Sequence, residues 1–263
     1  MGKRAIGFGN LIDAATITAS ACESAHPITE VQTRELARYA KFTGASPVVN
    51  IDLLSTKAFQ VICVIAHDIE AVTDTVVVEC GSTVGGFDAH AGSTLSCWPF
   101  SPLNDDRDGS WFLIPVVLPS EISARHIELT FTTSAAPRIG RIFVGRMFED
   151  CVAYGQVSDD WQPTNSTVDR TENGADWATT RVELRAAAFG YGEMTPAQAS
   201  LWREIQRTHG TTGEIIHIAD TEDRAFTQQN GFLGLMRKLT ALEYPNYAHR
   251  SNAVVLDERG GAP

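Results

Sequence analysis

The stretch "AFQVICVIAH", residues 58–67, is the first long apolar run of the chain, and it decides the fold class. It is rich in Val and Ile, and a polar connection separates it from a second run of the same kind, "DTVVVEC" at 74–80. Short apolar runs with many β-branched residues are typical of strands in an internal sheet rather than of helices. The sequence therefore predicts two strands here.

Three later runs extend this series of strands. The run "WFLIPVVL" at 111–118 contains Pro115, which has no N–H for a sheet hydrogen bond and therefore favours an edge or a bulge. The run at 126–131 alternates apolar and polar residues, so its apolar residues are expected to face a core while His126, Glu128 and Thr130 face outward. Another apolar run follows at 141–148. Because turn-rich loops separate these runs, the sequence predicts an antiparallel sandwich and disfavours a parallel nucleotide-binding sheet.

The pattern changes in the second half of the chain. Polar and turn-forming residues at 158–177 predict a linker. One helix is predicted over about 195–209, because Thr195 is a suitable N-cap, Pro196 stands at the first helical position and Gln198 completes a capping box. Strands are predicted at 179–192, 213–220, 231–244 and 253–258. The run at 231–244 also fits a helix, and a strand is favoured because the run at 253–258 can pair with it antiparallel.

Composition excludes several classes of partner. The 21 basic and 32 acidic residues give a net charge of -11, which would repel a nucleic-acid backbone. No run approaches the roughly 18 apolar residues of a membrane-spanning helix, so no membrane insertion is expected. The five cysteines form no CxxC pair, which argues against a disulfide framework or a zinc site and favours reduced thiols in a cytoplasm.

Sequence motifs of known catalytic sites are absent. The chain has no GxSxG nucleophile motif, no HExxH and no P-loop, and its seven histidines show no metal-ligand spacing. His217, between Ile216 and Ile218, is expected to face outward from a strand rather than to bind a ligand. We therefore expect no enzyme activity and no cofactor. A glycan hydrolase would need two carboxylates about 5–10 Å apart, and the sequence alone places no such pair.

One acidic loop has a spacing found in calcium sites. Asn104, Asp106 and Asp108 fall at alternating positions before Gly109, as oxygen ligands of a calcium loop would. Pro115 stands where such a loop would supply its bidentate Glu. Loops rich in Asp, Asn and Gly are more often solvated turns, so a solvated turn without a metal is the favoured interpretation and a calcium site the alternative.

A long loop at 85–111 carries four aromatic residues, Phe87, Trp98, Phe100 and Trp111. Exposed aromatic rings flanked by polar residues could stack on the apolar face of a sugar ring. The favoured alternative is that they pack the loop onto the sandwich or lie in contact with a neighbouring subunit, since aromatic residues are enriched at interfaces.

The opening residues "NLIDAATITASACES" at 10–24 and the segment "PVVNIDLLSTKAFQVICVIAHDI" resemble galactose-binding-like jelly rolls of the discoidin type. The similar elements are Thr18 to Ser20, Ile51 to Leu53, and Val61 to His67, and the resemblance covers about residues 10–150. It implies a jelly-roll β-sandwich, in a family whose members bind glycans or lipids through loops at one end.

The second half resembles a module of the distal tail and upper baseplate proteins of long-tailed phages. The matching order is a strand, a helix beginning "TPAQASLW", a strand ending in Asp220, and the closing strand "NAVVLDE". This resemblance implies a small β-sandwich that packs into a ring continuing the tail tube. The alternating Arg181, Glu183 and Arg185 are then candidates for ion pairs between subunits.

These observations predict an all-β chain with an N-terminal jelly-roll β-sandwich at 1–157 and a smaller C-terminal β-sandwich with one helix at 158–263. The expected function is that of a structural protein of a phage tail tip or baseplate, located in the virion and assembled in the host cytoplasm. Its expected partners are copies of itself in a ring, the tail tube, the hub and the tape measure. The alternative is a carbohydrate-binding adhesion module that recognises host surface glycans.

Overall fold

The computed structural model describes two compact units. The first comprises Met1–Glu149, Ile218–Gly231 and Gly261–Pro263, and the second Asp150–His217 and Phe232–Gly260. Within the described residues, no helix is long and apolar enough to cross a membrane. The described residues are 3–69, 71, 73–92, 94–98, 113–149, 152–162, 167–170, 176–179, 184–243 and 250–259.

The first unit is built from antiparallel strands. Two short 3₁₀ turns, Ile12–Ala14 and Ile28–Gln32, lie between its first strands. One short helix, α2 (Arg224–Asn230), also belongs to this unit. The strands are β1 (Ala5–Phe8), β2 (Thr16–Ala19), β3 (Ala40–Lys41), β4 (Val48–His67), β5 (Thr75–Gly81), β6 (Thr94–Ser96), β7 (Leu113–Thr132) and β8 (Arg138–Glu149).

Strands β4 and β7 are each 20 residues long and pair with one another along most of their length. Their register shifts between Asp52 and Lys57, where Leu54 adopts a positive φ of 64°. Before this bend, β4 also pairs with β2, and after it, with β8. Long strands that bend in this way form the corners of a sandwich, because each contributes to both of its layers.

The core of the first unit collects apolar residues from both halves of these long strands. Val49 and Ile51 come from the first half of β4, and Ile62 and Val64 come from its second half. All four are at most 2% exposed and belong to one continuous cluster. The predicted all-β sandwich is confirmed.

The second unit contains a sheet in the order β13-β14-β15-β12-β9, a β10–β11 hairpin and helix α1 (Pro196–His209). The predicted capping box is confirmed, since the Thr195 side chain accepts a hydrogen bond from the Gln198 N–H and the Gln198 side chain accepts one from the Thr195 N–H. Trp202 and Ile205 of α1 are buried. The strands are β9 (Val152–Gln162), β10 (Thr167–Arg170), β11 (Asp176–Thr179), β12 (Leu184–Met194), β13 (Ile215–Ile218), β14 (Phe232–Met236) and β15 (Arg250–Glu258).

Three features differ from the sequence prediction. Residues 113–118 of the first predicted run and the run at 126–131 belong to one continuous strand, β7. Its first half pairs only with β4 among the described strands, as expected for an edge containing Pro115. The predicted linker at 158–177 contains strand residues of β9, β10 and β11. The short helix α2 was not predicted.

Candidate functional site

Four neighbouring strands of the first unit, β2, β4, β7 and β5, carry polar residues on one surface. Antiparallel pairing aligns these residues in two rows, which we call the polar face. Because the rows are two residues apart on each strand, both point to the same side of the sheet. The first row is Thr18, Asn50, Glu128 and Glu79, and the second is Thr16, Asp52, His126 and Gly81.

The polar face forms the floor of a cavity of about 390 Å³. The loop after β5 supplies further lining residues, among them Val84 and Phe87. Val84 is 76% exposed, and Phe87 is half-buried. A cavity of this size, with polar groups converging beside an aromatic ring, has the dimensions and composition of small-molecule binding sites.

Hydrogen bonds hold this loop, residues 81–90, in a compact shape. The Ser82 N–H and hydroxyl donate to the two oxygens of Asp88 at 2.8 and 2.9 Å, and these bonds lower the pKa of Asp88. Cys80 and His90 pair through their backbones where the loop returns. Gly81 permits this shape, because a Cβ there would lie 1.4 Å from the Gly86 carbonyl oxygen.

An ion pair fixes the ionised state of Asp52 in the second row. Arg125 donates to both carboxylate oxygens at 2.8 Å, and the Leu54 N–H donates to one of them at 2.8 Å. The hydrogen bonds from Arg125 are the largest of the influences that lower the pKa of Asp52 to about 2. His126 Nδ1 lies 4.0 Å from the same carboxylate. Asp52 is therefore a permanent hydrogen-bond acceptor at neutral pH.

Two further carboxylates, Glu79 and Glu128, stand directly opposite each other on β5 and β7. Like charges at such positions repel, since the Cβ atoms of directly opposed residues lie about 4.5–5.5 Å apart. None of the described residues that line the cavity is Lys or Arg. The cavity thus offers acceptors to hydroxyl or ammonium donors and repels anions.

The predicted aromatic residues have separate positions. Phe87 lines the cavity, whereas Trp98 is buried at 7% exposure and leaves little ring surface for stacking on a sugar. Phe100 and Trp111 lie outside the described residues, as do the calcium-site candidates Asn104, Asp106 and Asp108. Among the described residues, no group of three or more His, Cys, Asp or Glu side chains is arranged to hold a metal ion.

The predicted intersubunit residues are described only in part. Arg181 and Glu183 lie outside the described residues, whereas Arg185 is buried in the second unit. Its Nε donates to both carboxylate oxygens of Glu258 at 3.0 Å, and its backbone N–H donates to the same carboxylate at 2.8 Å. Arg185 thus has an internal partner that satisfies its charge.

Sequence reasoning missed most of the polar face. The alternation of His126 and Glu128 with apolar residues did predict that both face away from the core. Their neighbours Asn50 and Glu79 come from strands distant in the sequence, so only the strand register brings them together.

No protein-family model matches the chain, and no curated protein matches it significantly. Among solved structures, it is similar to CpGH89CBM32-6 of Clostridium perfringens, with 13% identity over 52% of this chain and 99% of that chain, at a TM-score of 0.38. The chain is also similar to a mutant of the lectin binding domain of Lectinolysin complexed with Lewis b, with 11% identity over 54% of this chain and 98% of that chain, at a TM-score of 0.42.

A third similar structure is chitosan-binding module 1 of a chitosanase/glucanase from Paenibacillus sp. IK-5, with 9% identity over 52% of this chain and 98% of that chain, at a TM-score of 0.39. None of these three descriptions names a phage tail protein. At these identities and TM-scores, the similarities do not identify a ligand, and the function has to be inferred from the site.

Proposed function

We propose that the first unit is a carbohydrate-binding module and that its ligand binds in the cavity above the polar face. The observation that carries this proposal is the alignment of Asn50, Glu128 and Glu79 in one row, beside the ring of Phe87, in a cavity of about 390 Å³. Sugars present hydroxyl groups around the edge of an apolar ring, and this cavity supplies partners for both features.

The polar partners suit hydroxyl groups in particular. Ionised carboxylates such as Asp52 accept several hydrogen bonds, and the carboxamide of Asn50 both donates and accepts. Phe87 and the exposed Val84 supply apolar surface at the loop, where a ring face can pack. Arg125 balances the charge of Asp52, but Glu79 and Glu128 line the cavity and none of its described lining residues is Lys or Arg. Neutral sugars and amino sugars are therefore the expected ligands rather than sialic or uronic acids.

We further propose that this site binds glycans without cleaving them. Glycoside hydrolysis uses one carboxylate as a general acid, which must hold a proton near neutral pH. Asp52 cannot take this role, because Arg125 holds its pKa at about 2. Glu79 and Glu128 form the other carboxylate pair, so a hydrolysis assay with the bound glycans tests this part of the proposal.

A glycan array tests the binding proposal. The intact chain should bind neutral or amino-sugar glycans and leave sialylated ones unbound. Glu128→Gln should weaken binding about tenfold or more, because a hydrogen bond to a charged group contributes about 1.5–3 kcal/mol. Phe87→Ala should weaken binding as well. The control is Glu35→Gln, since Glu35 is 72% exposed and does not line the cavity.

Three outcomes would count against these proposals. A chain that binds no glycan on the array, or one whose glycan binding is unchanged in both cavity variants, would show that the polar face is not a carbohydrate site. Release of reducing sugar from a bound glycan, lost in Glu128→Gln, would replace the binding role with a catalytic one.

The role in a phage tail, the ring of identical subunits and the location in the virion stay predictions from the sequence resemblance. A glycan-binding unit on a tail protein would recognise the host surface, so the two roles are compatible. Native mass spectrometry of the chain mixed with tail proteins would test the ring prediction, with a closed oligomer expected and a persistent monomer contradicting it.

A further inference from the structure

A second cavity of the first unit, about 320 Å³ in volume, contains an arginine that forms no ion pair with any described residue. The edge of β7, residues 115–119, lines this cavity together with His90, Leu95, Val78 and the segment at 220–227. Most of the β7 lining is apolar: Val116 and Leu118 are buried, and Val117 is half-buried. Arg224 of α2 is the one Lys or Arg among the described residues that line it.

The hydrogen-bonding groups of Arg224 are only partly used. Its Nε donates to the Pro115 carbonyl oxygen at 2.9 Å, which holds the guanidinium against β7. Its Nη2 is buried and has no hydrogen-bond partner. Within the described part of the chain, no carboxylate forms an ion pair with Arg224. A guanidinium normally presents five donors to acceptors, so this one is strongly undersatisfied.

The neighbouring thiols do not supply the missing negative charge. Cys63 and Cys97 lie close enough to Arg224 to interact with its charge. Burial raises the pKa of each thiol to about 12, so both are protonated and neutral at pH 7. Burial also lowers the pKa of Arg224, which is the expected response of a cation removed from water without an anion beside it.

Two acidic residues, Asp220 and Glu222, also line the cavity. Glu222 is exposed, whereas Asp220 is half-buried and has other partners. Asp220 Oδ1 accepts hydrogen bonds from the Glu222 and Asp223 N–H groups at 2.8 and 3.1 Å. These bonds hold the Asp220 carboxylate in the turn before α2. The cavity therefore combines the apolar residues of β7 with one guanidinium that has no carboxylate partner in the described part of the chain.

We propose that this cavity binds a small monocarboxylate with an apolar tail, whose carboxylate pairs with Arg224 and whose tail packs along Pro115, Val117 and Leu95. The planar guanidinium matches a carboxylate with two parallel hydrogen bonds. A ligand with several charges fits less well, because the chain carries a net charge of -11. This site is separate from the polar face and does not depend on glycan binding.

Hexanoate is a suitable probe, with hexanol and inorganic phosphate as comparisons. Hexanoate should raise the thermal midpoint of the intact chain in a saturable manner at about millimolar concentrations. Hexanol keeps the tail and lacks the charge, whereas phosphate keeps an anion and lacks the tail. Both should bind about tenfold or more weakly, since each loses one of the two interactions.

Arg224→Met and Arg38→Met form a matched pair of variants. Arg38 is an exposed arginine that does not line the cavity and already pairs with Glu35. Arg224→Met should abolish the hexanoate effect, and Arg38→Met should retain it. In the absence of ligand, Arg224→Met should leave the thermal midpoint unchanged or raise it, because a half-buried charge without an ion-pair partner among the described residues does not stabilise a fold.

Several results would overturn the proposal. Hexanoate binding that persists in Arg224→Met would place the ligand elsewhere, and absence of hexanoate binding to the intact chain would exclude the site. Equal binding of phosphate would contradict the apolar tail, and equal binding of hexanol would contradict the role of the carboxylate. A large loss of stability in ligand-free Arg224→Met would make Arg224 a structural residue instead.

Discussion

Replacing Gly81 by Ala tests whether the 81–90 loop forms the wall of the glycan site. The added Cβ would lie 1.4 Å from the Gly86 carbonyl oxygen and 2.5 Å from its carbonyl carbon. Ordinary contact begins at 3.4 Å, so the loop has to retreat by about 2 Å, the difference between 3.4 and 1.4 Å. Because the obstacle is backbone, no side-chain rotation relieves it.

The expected cost follows from overpacking, which destabilises proteins by about 1–3 kcal/mol. The loop would also move away from the polar face, so glycan binding should fall together with stability. Urea or thermal unfolding followed by far-UV circular dichroism measures the first effect, and glycan titration measures the second.

Gly44→Ala is the control, because a Cβ at Gly44 meets nothing within 4 Å. It should change stability by no more than about 0.5 kcal/mol and leave glycan binding intact. If Gly81→Ala behaves like Gly44→Ala in both assays, the loop does not shape the site and the reasoning is refuted.

Three further predictions concern stability. Burial lowers the pKa of His67 from 6.5 to about 4, so the neutral form stabilises the fold above pH 6.5 and this contribution is lost as the pH falls from 6.5 to 4. At 1.36 kcal/mol per pKa unit, the free energy of unfolding should fall by roughly 3 kcal/mol over this range. Urea unfolding at pH 7 and at pH 4 measures this difference, which should be much smaller in His67→Gln. Glu258→Gln should lower the free energy of unfolding in urea by about 3–5 kcal/mol, because it leaves Arg185 buried without its anion. A double variant with apolar residues at both Arg185 and Glu258 should recover most of that loss. A double variant as unstable as Glu258→Gln would contradict this prediction. Thr195→Ala removes a helix cap and should cost about 0.5–2 kcal/mol, with an unchanged unfolding midpoint as the contrary result.

Local signals in the sequence predicted the elements that depend on neighbouring residues. The capping box of Thr195 and Gln198 fixed the start of α1 because both partners lie within four residues. Short apolar runs likewise predicted the second half of β4 and most of β5. The prediction that 231–244 contains a strand pairing with 253–258 is confirmed by β14 and β15.

Features that depend on tertiary contacts were not predictable in this way. His217 was expected to face outward by alternation, yet it is fully buried between Phe189 and Phe232, because both surfaces of β13 are covered. Helix α2 is only seven residues long, too short for a periodic pattern, although Asp223 does cap its first turn. The polar face depends on the register of four strands, which sequence spacing does not encode.

The most direct test of the glycan-binding proposal is a nuclear magnetic resonance titration of the ¹⁵N-labelled chain with a neutral glycan selected from the array. Glycan binding at the polar face should produce saturable chemical-shift changes that concentrate at the amides of Asn50, Glu79, Phe87 and Glu128. These changes should be lost in Gly81→Ala and retained in Gly44→Ala. Shifts that cluster away from the polar face, while the glycan binds with the same affinity, would contradict the account.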